Sequence, residues 1–126
     1  MMPAAMRLFA LRGAITVDEN DRDAILDATE ELMRTLLERN TLAPEDLVSV
    51  IFTLTEDLNA EFPAVAARRI GLDRVPLLCM REVPVPGSLP RVIRVLLHAY
   101  GQEGVEARHV YLREAQTLRA DLDSAQ

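Results

Sequence analysis

The chain has 126 residues, 49% of them apolar, and a formal net charge of -6. Those values predict a single globular domain over residues 1–126 with a modest core, and they exclude a disordered chain. The acidic balance argues against a general nucleic-acid or anionic-membrane partner.

Residues 1–6 read as a loose N-terminal extension. RLFALRGAITV, residues 7–17, reads as a strand, with Gly13 marking a bulge or a close approach. A helix is predicted from about Arg22 to Arg39, with Ile25, Ala28, Leu32 and Leu36 at helical spacing, Asp21 as its cap and Asn40 at its stop. Pro44 opens a short turn. VSVIFTLT, residues 48–55, is the clearest buried strand. Pro63 starts a second helix closed by Gly71, and residues 75–83 form a third strand. VPVPGSLP is irregular, with three prolines and a glycine. RVIRVLLHAY fits helical spacing in part, but its β-branched start and the βαβα order favour a strand. GQEG, residues 101–104, reads as a turn, and a short strand follows at His109–Leu112 before an irregular or helical tail.

The expected fold is α+β: a mixed sheet in β-α-β-α-β-β order with two long helices on one face. The other face has no predicted cover, although strands 48–55 and 75–80 are apolar in both directions. A second copy of the chain is the simplest cover, so a homo-oligomer is expected.

Among the 14 basic residues there is no lysine, so each is an arginine fork suited to carboxylates. The one cysteine, Cys79, fits a reducing compartment. No secretory signal or membrane-length apolar run is present, and a cytoplasmic protein is expected. His98, His109 and Cys79 lack metal-ligand spacing, and no Gly-rich phosphate loop occurs. Nothing pairs Cys79 or a serine with a base. What remains is charge placed inside apolar strands: Arg12, Glu82 and Arg94. Such ions must be paired, wet or ligand-facing. On the residues alone, an internal Arg–Glu pair and a binding site both stay open.

RGAITV (12–17), EFPAVAAR (61–68), VPLLCMREVPVPGSLPRVIRV (75–95), RHVYLREA (108–115) and LRADL (118–122) resemble, in order and spacing, the monofunctional trimeric chorismate mutases. The resemblance covers nearly everything from Arg7 onward. It implies a trimeric pseudo-α/β-barrel with sites between subunits, no cofactor and no metal. By the same resemblance, Arg12 holds a substrate carboxylate, and Tyr111 holds the enolpyruvyl carboxylate. Arg94 lies near the ether oxygen. Glu82 and Cys79 meet the ring hydroxyl, Phe62 is an apolar wall, and Arg68 is an entrance arginine. Leu118 and Arg119 belong to a mobile tail, residues 118–126, that closes over the site. Val65 stands where that family often has lysine, and Ala120 where it often has proline.

The implied reaction is the [3,3]-sigmatropic rearrangement of chorismate to prephenate, a step of aromatic amino-acid biosynthesis. It needs no proton transfer and no covalent intermediate, in keeping with a chain that has no base–nucleophile pair. The alternatives are a non-catalytic trimer that binds a small carboxylate and regulates a partner, and an imine deaminase of the Rid type. The first need not keep Glu82 and Tyr111 in register. The second lacks the CMRE to VIRV pairing.

Overall fold

The computed structural model describes residues 5–119. The strands are β1 (Met6–Thr16), β2 (Leu47–Leu54), β3 (Leu77–Arg81), β4 (Val92–Gln102) and β5 (Val110–Leu112). The helices are α1 (Arg22–Arg39) and α2 (Pro63–Arg69), with 3-10 turns at Pro44–Asp46 and Arg113–Ala115 and a helical turn over residues 116–119.

Asp21 is extended and accepts the Ala24 N–H at 3.1 Å, which satisfies one free donor of the first turn of α1. Ile25, Ala28, Leu32 and Leu36 are buried, as their spacing predicts. Asn40 ends the helix, and its amide group bonds both the N–H and the C=O of Arg108 at 2.9 Å, tying the loop before β5 to the end of α1.

The sheet order is β3-β2-β4-β1-β5. β4 runs antiparallel to β1 and β2, while β2–β3 and β1–β5 are parallel, so the sheet is mixed. The ambiguous RVIRVLLHAY segment is thus the central strand, paired on both sides. Several boundaries differ from expectation. β1 begins at Met6, because Met6 and Arg7 pair with Gln102 and Gly101. The same pairing carries β4 into the first two residues of the predicted turn, which itself stands at residues 103–104. β3 is shorter than predicted, because Pro76 has no N–H to donate; its carbonyl accepts from Val50. The second helix is not long: α2 has 7 residues and ends before Gly71, whose φ of 102° no other residue adopts easily.

Both helices lie on one face of the sheet. Leu11, Ile15, Val50, Phe52, Ile93 and Leu97 point to that face and are fully buried with the α1 residues. Gly13 is a point of close approach and not a bulge: the β1–β4 register is unbroken there, and a Cβ would stand 3.0 Å from Leu36 and 3.1 Å from Leu32 and Val95. The irregularity lies in β2 instead, between Leu47 and Ser49. The opposite face is largely bare. Leu8, Leu78, Met80, Leu96 and Tyr100 project there, each between 37% and 55% exposed. Among the described residues one corner is covered, where Leu89, Tyr111 and Leu118 pack on Ala14, Val92 and Ala115.

Candidate active site

Two rows of side chains cross the bare face. Strand register sets Met80, Thr53, Arg94, Ala14 and Tyr111 side by side, one from each strand. Two residues along, the parallel row is Leu78, Ile51, Leu96 and Arg12. Period-two alternation puts both rows on one face. Between them lies a cleft of about 390 Å³ lined by Arg12, Thr53, Glu82, Arg94 and Tyr111, with Ile51, Met80 and Leu96 as its apolar floor. Four of the residues singled out in the sequence therefore share one cavity.

Glu82 follows the end of β3 and keeps that strand's pairing for one more step, its N–H donating to Leu54 O at 2.9 Å. The connection from Glu82 to β4 must pass over the end of β2, and it is clamped there. Asp57 accepts the Arg91 N–H at 3.0 and 3.1 Å, and Thr55 Oγ1 accepts the Val92 N–H at 3.0 Å. The proline-rich segment is thus a strap tied down at its far end, with Glu82 at its near end beside Thr53. Thr53 Oγ1 donates to Glu82 Oε2. The other carboxylate oxygen lies 3.2 Å from Arg94 Nε. That N–H is buried without a hydrogen bond of proper geometry, so the contact is an ion pair and not a hydrogen bond. Thr53 was not singled out from sequence; its one signal is a hydroxyl within VIFTL.

Arg12 is half-buried in β1 and makes no ion pair with any described residue. Its backbone N–H donates to His109 Nδ1 at 3.0 Å. His109 is exposed, but partial desolvation, with the Arg12 charge beside it, holds its pKa below the usual histidine value. Two arginines and one glutamate give the cleft an excess positive charge, which suits an anion with more than one carboxylate.

Phe62, Cys79 and Arg68 are not in that cleft. Cys79 points to the helix face of β3 and, with Phe62, Leu58 and Glu61, lines a second cavity of about 400 Å³. Phe62 is 65% exposed at its rim. Arg68 on α2 is exposed, close enough for its charge to act on Cys79. Burial raises the Cys79 thiol pKa against the opposing pull of the Ala64 backbone and Arg68, so it is a neutral thiol at neutral pH and a poor nucleophile. Leu118 packs beside Tyr111, and Arg119 is exposed. The rest of the expected tail lies outside the described residues. Among the described residues, no three His, Cys, Asp or Glu side chains converge as metal ligands, and no helix is long and apolar enough to cross a membrane.

The cleft offers fixed charge, hydroxyls and an apolar floor, without a nucleophile seated against a base. Comparison with known proteins bears on what such a cleft does. The chorismate mutase type I family model matches residues 8–122. The chain is 60% identical over 118 residues to chorismate mutase AroH of Thermus thermophilus, covering 92% of this chain and 97% of that protein. It is 40% identical over 121 residues to chorismate mutase AroH of Bacillus subtilis, covering 93% and 94%. Among solved structures, chorismate mutase from Clostridium thermocellum superposes with a TM-score of 0.84 at 44% identity, over 86% of this chain and 98% of that one. By family match, relatives and fold together, this chain belongs to the type I chorismate mutases and is a chorismate mutase.

Proposed function

We propose that the cleft lined by Arg12, Thr53, Glu82, Arg94 and Tyr111 is one half of the site where chorismate rearranges to prephenate, and that a neighbouring copy of the chain supplies the other half. The observation that carries this is the gathering of two arginines, a glutamate and a tyrosine on the bare apolar face of the sheet. The substrate is a flexible dianion that must be held as a compact chair. Arg12 and Tyr111 hold its carboxylates, which brings the reacting carbons together. As the C–O bond stretches, negative charge grows on the ether oxygen, and Arg94 stabilises it. Glu82 accepts from the ring hydroxyl and keeps Arg94 in place through the 3.2 Å ion pair. No proton moves and no covalent intermediate forms.

The second half comprises Phe62, Arg68 and Cys79, with the tail at Leu118 and Arg119 closing above. Cys79 and Phe62 line a cavity on the other side of β3, so one chain alone cannot present them to the Arg94 cleft. A homotrimer with sites between subunits meets this requirement and covers the apolar face. In this reading the enzyme works in the cytoplasm and needs no cofactor.

The test is a spectrophotometric assay of chorismate loss with the product identified as prephenate. Turnover by the purified chain, lost together with its trimeric state on dilution, is the expected result. Turnover by a stable monomer would overturn the shared site.

A further inference from the structure

β5 pairs with β1 only over Gly13–Val110, Ala14–Tyr111 and Ile15–Leu112. At Arg12 the ladder has ended, and no β5 carbonyl receives the Arg12 N–H. The imidazole of His109 does so instead, through Nδ1 at 3.0 Å. A backbone N–H can only donate, so Nδ1 carries a lone pair, the ring proton sits on Nε2, and the ring is neutral. The ring is also anchored from behind, because Asn40 at the end of α1 holds both backbone groups of Arg108 at 2.9 Å. We infer that neutral His109 is a positioning residue for chorismate rearrangement: its ring replaces a missing strand carbonyl and fixes the point from which Arg12 reaches into the cleft. This rests on reading Arg12 as a carboxylate anchor.

The surroundings agree. The charged group facing His109 across the ladder is Arg12 on β1; α1 contributes the uncharged Asn40, Arg108 precedes it in its own segment, and β4 lies on the far side of β1. Partial desolvation and Arg12 both oppose protonation, so the neutral acceptor persists to lower pH than for a free histidine. The sign follows. Above the lowered pKa the acceptor is intact; as pH falls through it, Nδ1 gains a proton that points at another N–H, and the bond is lost. An imidazolium acting only as extra charge would do the reverse and strengthen anion capture.

The experiment measures KM and kcat for chorismate between about pH 5 and 8. It compares wild type with His109→Leu, His109→Asn (whose Oδ1 can accept as Nδ1 does) and Arg12→Ala. Wild-type KM should rise on acidification, with a midpoint below about 6.5. His109→Asn should remove that pH dependence and keep KM low. His109→Leu should raise KM about three- to ten-fold at every pH, with kcat within about two-fold of wild type, the scale of one hydrogen bond. If His109→Leu fails to fold, the contrast between wild type and His109→Asn decides alone. Unchanged KM in His109→Leu beside raised KM in Arg12→Ala overturns the role of His109 and leaves Arg12 standing. Unchanged KM in Arg12→Ala overturns the anchor, and this inference with it. A wild-type KM that falls on acidification overturns the hydrogen bond in favour of charge.

Discussion

Replacing Arg94 separates the proposed electrostatic mechanism from simple binding. Arg94 sits mid-sheet, opposite Thr53 on β2 and Ala14 on β1, so truncation to alanine leaves both ladders paired. Two effects are expected. The first is loss of the group facing the ether oxygen; one preorganised donor of this kind is worth roughly 3–4 kcal/mol, or about a hundred- to thousand-fold in kcat. The second concerns Glu82. At 3.2 Å and an effective dielectric of about 20, its attraction to Arg94 is on the order of 5 kcal/mol before solvent competition. Without Arg94 the carboxylate keeps only the Thr53 hydroxyl and repels an incoming dianion, so KM should also rise. The two effects separate in the double variant: Arg94→Ala with Glu82→Gln should recover part of KM and none of kcat. Citrulline at position 94 keeps the planar shape and the Nε donor without the charge, with a carbonyl oxygen in place of one NH2 group. Charge-assisted bonds are roughly twice as strong as neutral ones, so it should retain about half the stabilisation and lose on the order of twenty-fold in kcat. The assay is initial-rate chorismate loss with prephenate identified. Arg94→Ala within ten-fold (about 1.4 kcal/mol) of wild-type kcat would refute the reasoning.

Three further outcomes are expected. Leu96→Glu or Leu78→Glu places a charge on the bare apolar face and should shift the assembly to monomer in light scattering, with activity lost; an intact active trimer would mean that the face is not the interface. Gly13→Val should cost about 1–3 kcal/mol in urea unfolding, because its Cβ would meet Leu36, Leu32 and Val95 within 3.1 Å and the methyls beyond it have no room. When Arg94→Ala and Arg68→Ala chains are refolded together, random assembly should give about a quarter of shared sites both arginines, so activity should exceed that of Arg94→Ala alone by more than the share of Arg68→Ala chains supplies; no such gain would place both residues in the site of one chain.

Most of the fold was legible because its signals are local. The cap at Asp21, the spacing Ile25–Leu36 and the prolines at 44 and 63 each report nearby physics. Boundaries set by distant partners were not legible. Nothing near GQEG indicates that Met6 and Arg7 will pair with Gln102 and Gly101 and extend β4. RVIRVLLHAY carries helical spacing, and pairing on both sides decides against it. At the site, charge in apolar strands pointed to Arg12, Glu82 and Arg94, since an isolated ion there needs a reason. Thr53 gave no such signal, because a threonine is at home in any strand. His109 did not stand out either: its role depends on where β5 stops.

Strand geometry also changes the meaning of CMRE. The resemblance assigns Cys79 and Glu82 to one ring hydroxyl, yet they stand three residues apart at the end of a strand whose side chains alternate. An odd separation sends them to opposite faces, and the structure has Cys79 in the Phe62 cavity and Glu82 in the Arg94 cleft. Both can serve the same kind of site only if each β3 serves two sites at once, one on each face. The edge position of β3 suits this, because no strand among the described residues covers its outer side. On the proposed reading, the strap beside Glu82 and the short α2 beside Cys79 make β3 a divider between two half-sites. In the proposed assembly each half-site would be completed by a different neighbour, and a closed ring is the simplest arrangement in which every half finds its partner.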